Sequence, residues 1–148
     1  MSLEIYPMEL SDFQKIEPIL YEKFDDFWTP NIFKGELENQ NSYYFVAKND
    51  DFIVGFAGIS LCFDEATVTN IVIHKENRNL GIGLQLLEKL IQIAKQKNCT
   101  SITLEVNEKN IAAIQLYKKF HFETVGLRKQ YYSHTDNAII MTKILPKQ

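Results

Sequence analysis

The chain has 148 residues, of which 45% are hydrophobic and 24% are charged. This balance is typical of a soluble globular domain with enough apolar side chains for a core, and it excludes a disordered polypeptide. The formal net charge of -3 argues against a nucleic-acid-binding module, because neutralising phosphates requires a surplus of Lys and Arg on one face.

The two cysteines, Cys62 and Cys99, have no second Cys or His at the spacing of metal ligands. We therefore expect no metal site and a reducing environment. No apolar run approaches the roughly 18 residues of a membrane span, and the first ten residues lack a basic region followed by an apolar one. These features predict a cytoplasmic protein without a membrane partner, folded as a single domain over residues 1–148.

The first half of the chain predicts a strand, two helices and an antiparallel hairpin, from its apolar periodicity and its turn-forming residues. In order, these are the strand 3–6, a helix containing Phe13, Ile16, Ile19 and Leu20, a short helix 31–37, and the hairpin strands 43–47 and 52–61. Ser11 or Asp12 is the predicted N-cap of the first helix, and Thr29-Pro30 supplies a cap and a first-turn proline for the second.

The second half predicts strands that alternate with helices. In order, these are the strand 66–73, the helix 81–97, the strand 101–106, the helix 110–120, and the strands 125–132 and 138–144. Alternation slips within the first strand, since Thr69 is polar and Ile71 is apolar at the same parity, and this predicts a β-bulge near Asn70. The element order is βααβββαβαββ, with no internal repeat.

A loop with two glycines, Arg78-Asn79-Leu80-Gly81-Ile82-Gly83-Leu84, connects a predicted strand to the most regular helix. Its glycines allow close approach of the main chain to a ligand, and the N-terminus of the following helix favours an anion such as phosphate. It is not a Walker motif, because Leu84 and Gln85 follow the second glycine, nor a dinucleotide fingerprint, because Leu86 replaces the third glycine. From the residues alone, a plain strand-to-helix turn is an equal alternative.

Several segments together resemble the signature of the GNAT acetyltransferase superfamily, and within it that of the bacterial ribosomal-protein-alanine N-acetyltransferases. They are 64–67, 70–73, 78–83, 105–117, 131–132 and 138–141. The resemblance implies an α+β GNAT fold, in which a central twisted mixed sheet of about seven strands is flanked by about four helices. It also implies an enzyme that transfers the acetyl group of acetyl-CoA to a primary amine.

The resemblance assigns two catalytic residues. Glu105, near the end of a central strand, would be the general base, and Tyr117 would protonate the departing thiolate of CoA. Each has a structural alternative. Glu105 could face solvent on an alternating strand, and Tyr117 could be one more core aromatic at helical spacing with Ala113 and Phe120.

The resemblance also indicates how acetyl-CoA would be bound. A main-chain N–H between Ile71 and Ile73, released by the bulge, would polarise the thioester carbonyl, and Asn110 would contact the cofactor while also capping a helix. The full set of expected cofactor contacts is Ile71, Val72, Ile73, Arg78, Asn79, Leu80, Gly81, Ile82, Gly83, Leu84, Asn110 and Tyr117.

The acceptor implied by the resemblance is a peptide or protein N-terminus, in particular that of a ribosomal protein beginning with alanine. Phe27, Trp28, Tyr131 and Tyr132 would line the acceptor cleft, because aromatic side chains can hold a peptide while their polar tips bond to it, although core packing explains them equally well. Two other functions stay open: acetylation of a small amine such as a polyamine or aminoglycoside, and a catalytically silent acyl-CoA-binding domain.

Five residues depart from the resembled subfamily. Asn79 and Leu80 replace the basic or glycine residues common in the loop, and Asn107, Lys109 and His121 stand where arginine, serine and glycine are usual. The last falls at a predicted helix end, where glycine normally adopts a left-handed conformation. His74, His121 and His134 are scattered along the sequence, and we assign no catalytic role to them.

Overall fold

The computed structural model describes residues 3–19, 39–78, 80–129 and 136–146. Seven strands and three α-helices occur in these ranges. They are β1 Leu3–Pro7, α1 Leu10–Ile16, β2 Ser42–Asn49, β3 Phe52–Cys62, β4 Glu65–Ile73, α2 Ile82–Gln96, β5 Ser101–Asn107, α3 Ile111–Lys119, β6 Glu123–Arg128 and β7 Ala138–Ile144. Short 3-10 helices occupy Glu17–Ile19 and Lys75–Asn77.

The strands form a seven-stranded mixed sheet in the order β1-β2-β3-β4-β5-β7-β6. Strands β4 and β5 are parallel, whereas β1 with β2, β2 with β3, β5 with β7 and β6 with β7 pair in antiparallel fashion. The predicted α+β fold with about seven strands is confirmed. Three α-helices are described where about four were expected, and the predicted helix 31–37 lies outside the described residues.

The chain divides into two compact units, Met1–Leu61 with Thr69–Gln92 and Cys62–Val68 with Ile93–Gln148. In the first unit, two buried residues of α1, Phe13 and Ile16, cluster with buried residues of β2, β3 and β4. These strand residues are Tyr44, Val46, Ile53, Phe56 and Val72. The amphipathic spacing of α1 therefore serves to cover one face of these strands.

Helix α1 differs from its prediction at both ends. It begins at Leu10 with Glu9 as the N-cap, so Ser11 and Asp12 are not the caps. Asp12 instead lies in the first turn, where its carboxylate accepts the Glu9 N–H at 2.9 Å, a site that favours an acidic group. The α-helix ends at Ile16 and continues as a 3-10 turn that contains Ile19, because Pro18 has no N–H to donate in a further α-helical hydrogen bond. Leu20 lies outside the described residues.

In the second unit, the last strand of the chain, β7, lies between β5 and β6. Strand β5 alternates as predicted, with Ile102, Leu104 and Val106 buried and the residues between them half-buried. Strand β6 covers Glu123–Arg128 rather than 125–132, and its register with β7 shifts between Thr124 and Gly126. This irregularity is a β-bulge of the kind found on edge strands.

Candidate active site

The glycine loop of the first unit leads into α2. Gly81 has a φ of 79°, in the left-handed region, and its carbonyl accepts the N–H of Gln85 at 3.2 Å. Gly81 is thus the N-cap of α2, and a glycine has no side chain to bond to the amides of the first turn. The amides at a helix N-terminus favour an anionic ligand.

The two glycines of the loop have different surroundings. A Cβ placed on Gly81 would meet no atom within 4 Å, so glycine is required there by backbone conformation and the space beside it is open. A Cβ on Gly83 would make ordinary contacts with Ile71 and Ile73 at 3.9 Å. With the exposed Arg78 nearby in the loop, the open side at Gly81 and the helix N-terminus suit a phosphate-bearing ligand.

His74 lies between β4 and this loop, and its contacts are those of a residue that stabilises the fold. It is buried, its Nδ1 accepts the N–H of Glu76 at 3.1 Å, and its ring lies 5.5 Å from that of Phe52. Its own N–H donates to the carbonyl of Val54 at 2.8 Å. His74 therefore caps the 3-10 helix and packs against β3, and its N–H is engaged in a main-chain bond.

Glu105, in the second unit, is held in an ion pair that the sequence did not reveal. Its Oε1 lies 2.7 Å from Nη2 of Arg128, and the two side chains are 24% and 55% exposed, respectively. Ile140 of β7 is opposite Glu105 on one side and opposite Gly126 on the other. Because β7 intervenes, only a long side chain from β6 can reach Glu105, and arginine has that length.

Tyr117 lies in the last turn of α3, which ends in a Schellman motif. The N–H of His121 donates to the carbonyl of Lys118 and the N–H of Phe122 to that of Tyr117, each at 3.0 Å. His121 has a φ of 69°, so it occupies the left-handed position that glycine usually takes at a helix end. The rings of Tyr117 and Phe122 lie 5.9 Å apart.

Burial raises the pKa of the Tyr117 phenol above its ordinary value of 10.0, because an apolar environment disfavours the phenolate. Tyr117 therefore carries its proton at neutral pH and can act as a donor.

Side-chain hydrogen bonds fix the turn between β5 and α3. The side chain of Asn110 accepts the N–H of Ala113 at 3.2 Å, which confirms its predicted role as an N-cap. Asn107 donates through Nδ2 to Asp136 at 3.0 Å, and Nζ of Lys109 lies 2.6 Å from Asp136. The hydrogen bond to Asp136 and its negative charge raise the pKa of Lys109. Two of the departures from the subfamily thus share one partner.

The predicted site residues fall into three groups. The first unit contains Ile71, Val72, Ile73, Arg78, Leu80, Gly81, Ile82, Gly83 and Leu84, and the second contains Glu105, Asn110 and Tyr117. Five predicted residues lie outside the described ranges: Phe27, Trp28, Asn79, Tyr131 and Tyr132. Sequence reasoning missed Arg128, since the sequence carries no sign that β7 inserts beside β5.

The sequence profile of the Acetyltransferase (GNAT) family matches residues 3–122. The chain belongs to this family. The acetyltransferase is 34% identical over 143 residues to the ribosomal protein bS18-alanine N-acetyltransferase of Haemophilus influenzae, covering 93% of this chain and 95% of that one. It is 36% identical over 112 residues to the N-alpha-acetyltransferase RimI of Mycobacterium tuberculosis, covering 73% and 69% of the two chains.

The acetyltransferase also resembles the crystal structure of the ribosomal-protein-S18-alanine N-acetyltransferase from Escherichia coli. The TM-score is 0.90 at 26% identity, over 99% of this chain and 96% of that one. The protein is therefore an acetyl-CoA-dependent N-acetyltransferase with the GNAT fold. Among the residues that the structure describes, no three His, Cys, Asp or Glu side chains are grouped to hold a metal ion. Within the same residues no helix has the length and apolarity needed to span a membrane.

Proposed function

We propose that this acetyltransferase modifies the N-terminal α-amine of a protein, and that its substrate is a ribosomal protein beginning with alanine. The observation that carries the proposal is the 34% identity to the bS18-alanine N-acetyltransferase of Haemophilus influenzae over nearly the whole of both chains. The E. coli enzyme named for the same substrate has a similar fold, which supports the same acceptor.

Glu105 is the proposed general base. An α-amine has a pKa of about 8, so a fraction is already neutral at neutral pH. As its nitrogen bonds to the thioester carbonyl carbon, Glu105 accepts the proton that the nitrogen loses, directly or through a water molecule. The ion pair with Arg128 supports this role, since it restricts the position of the carboxylate.

Tyr117 is the proposed general acid. As the carbon–sulfur bond breaks, its phenol donates a proton to the sulfur, and CoA leaves as a thiol. The raised pKa of Tyr117 supports this role, because the proton stays on the phenol until the thiolate forms. The phenolate then regains a proton from solvent and the Glu105 carboxyl group releases its proton to solvent, so both groups return to their starting states.

Acetyl-CoA would be held by the glycine loop. The first-turn amides after Gly81 and the guanidinium of Arg78 would bind its pyrophosphate. A main-chain N–H between Ile71 and Ile73 would polarise the thioester carbonyl. The β-bulge expected near Asn70, which would free this N–H, stays a prediction.

The experiment is an acetyl-transfer assay with a panel of acceptors, read by the mass of each product. The panel contains alanine-starting peptides from ribosomal proteins, lysine peptides with blocked N-termini, polyamines and aminoglycosides. We expect kcat/KM to be much higher for free peptide N-termini than for the other acceptors, with a large loss of kcat in Glu105→Gln and Tyr117→Phe. The matched controls are Glu123→Gln and Tyr6→Phe, which change exposed residues.

Two results would contradict the proposal. Turnover restricted to polyamines or aminoglycosides would assign a small-molecule acceptor instead. Turnover on peptides that is indifferent to both Glu105→Gln and Tyr117→Phe would leave the acceptor in place and exclude the assigned roles.

A further inference from the structure

We propose that Arg128 is a specificity-determining residue, which selects amines that reach Glu105 uncharged and disfavours cationic acceptors such as polyamines and lysine side chains. This inference rests on the proposed function, in which Glu105 is the general base. The preferred acceptor would therefore carry a single amine of low basicity.

The geometry places a permanent positive charge directly on the proposed base. Nη2 of Arg128 lies 2.7 Å from Oε1 of Glu105, and a guanidinium stays protonated throughout the physiological range. Arg128 is also the more exposed member, at 55% against 24%. Since partly exposed ion pairs contribute little to stability, stabilisation of the fold does not account for the pairing.

The ion pair joins the guanidinium to one oxygen of the Glu105 carboxylate, Oε1. In the proposed reaction the other oxygen, Oε2, accepts the proton of the incoming amine. Any group that approaches Oε2 comes within a few ångströms of the charge on Arg128, where Coulomb interactions are strong.

This charge affects neutral and cationic amines differently. A lone carboxylate would attract any ammonium ion, but a carboxylate paired with a guanidinium has no net charge and repels an ammonium from the arginine side. An α-amine is uncharged in roughly one molecule in ten at pH 7, and a lysine side chain in fewer than about one in a thousand. A polyamine also carries further cations that remain close to Arg128 when one of its amines is neutral.

The test measures how strongly the enzyme prefers an α-amine over cationic acceptors, and not activity alone. We would compare kcat/KM for an alanine-starting peptide with kcat/KM for spermidine and for a lysine peptide with a blocked N-terminus. The variants are Arg128→Gln, which removes the charge, and Arg128→Lys, which keeps it. Lys129→Gln is the matched control, since it removes the same charge from the neighbouring exposed position.

For each cationic acceptor, the ratio measured is its kcat/KM divided by kcat/KM for the alanine-starting peptide. We expect Arg128→Gln to raise this ratio by about tenfold or more, as removal of a nearby charge at a binding site does. Arg128→Lys and Lys129→Gln should keep the wild-type ratio. Raising the salt concentration from about 0.05 M to about 0.5 M should reduce the difference between wild type and Arg128→Gln, because ions screen exposed charges. If the glutamine variant does not fold, Arg128→Met keeps the aliphatic stem and replaces it.

The outcomes separate the two proposals. A wild-type enzyme that acetylates α-amines, with a ratio unchanged in Arg128→Gln, would overturn this inference and leave the proposed function intact. An equal loss on all acceptors would likewise overturn it, because Arg128 would then only position Glu105. A wild-type enzyme without activity on any α-amine would overturn the proposed function itself.

Discussion

The ring of Phe122 lies against the ring of Tyr117, with centroids 5.9 Å apart and planes inclined at 57°. Phe122 is only 1% exposed, and its N–H donates to the carbonyl of Tyr117 at 3.0 Å. The Schellman motif, in which an apolar contact of this kind is common, thus fixes both the main chain and the ring of the proposed acid.

Replacing Phe122 should therefore impair catalysis as well as stability. We expect Phe122→Leu to lower kcat without changing KM for acetyl-CoA, because the Tyr117 ring loses its support, and to lower the free energy of unfolding by about 1–2 kcal/mol. Steady-state kinetics and urea denaturation measure the two effects. Phe56→Leu, at a fully buried site of the first unit, is the control. An equal fall of kcat in both variants would attribute the loss to stability alone.

His121 is strained by its φ of 69°. A left-handed conformation costs an ordinary residue about 1–2 kcal/mol, while glycine adopts it freely. We expect His121→Gly to raise the free energy of unfolding by about 1 kcal/mol and to leave kcat unchanged. Asn98 ends α2 in the same conformation, at φ 61°, and asparagine tolerates it better because its short polar side chain can hydrogen-bond locally. Asn98→Gly should therefore stabilise less, and a larger gain there than at His121 would contradict this account.

The buried phenol of Tyr117 should make stability depend on alkaline pH. Its pKa is raised in the folded state, so the folded protein binds this proton more tightly than the unfolded chain does. The resulting stabilisation is fully present below the ordinary value of 10.0 and is lost as pH rises through the folded-state pKa. Urea denaturation across this range should show a steeper fall for wild type than for Tyr117→Phe. Parallel curves would be inconsistent with a raised pKa.

Gly81 and Gly83 should respond differently to alanine. Gly81→Ala forces a Cβ into the left-handed region and should lower the free energy of unfolding by about 1–2 kcal/mol. Gly83 lies in the first turn of α2, where alanine adds only ordinary contacts with Ile71 and Ile73 of β4, so Gly83→Ala should be neutral or stabilising by up to about 1 kcal/mol. Urea denaturation of both variants checks this order, and the reverse order would mean that the loop adopts another conformation.

The two cysteines should differ sharply in reactivity. Cys62 is exposed and Cys99 is buried; burial, and then the charge of Asp64, raise the pKa of the Cys99 thiol, so its reactive thiolate is rare. A thiol reagent at about pH 8 should label Cys62 in the native protein and both cysteines in denaturant. Cys62→Ser should abolish native labelling, and labelling of Cys99 in that variant would contradict its burial. That variant also gives the lowest background in assays of released CoA thiol.

The sequence by itself determined most of the local structure. Apolar periodicity located α2 and α3, the alternation of β5 and the closing strand β7 within one or two residues, because these patterns reflect which side of an element is buried. The glycines of the loop and the run from Glu105 to Tyr117 also sufficed to indicate the family, which the profile match confirms. The helix end at His121 was likewise located from the sequence, whereas the left-handed conformation of this residue was established by the structure.

Side-chain contacts that depend on strand order became known only from the tertiary structure. Glu105 and Arg128 are brought together because β7, the last strand in the sequence, lies between β5 and β6. The periodicity within a segment does not specify which strands become neighbours. The shared partner of Asn107 and Lys109 has the same origin, since Asp136 precedes β7. The sequence could therefore name the proposed base, whereas the charge that faces it followed only from strand order.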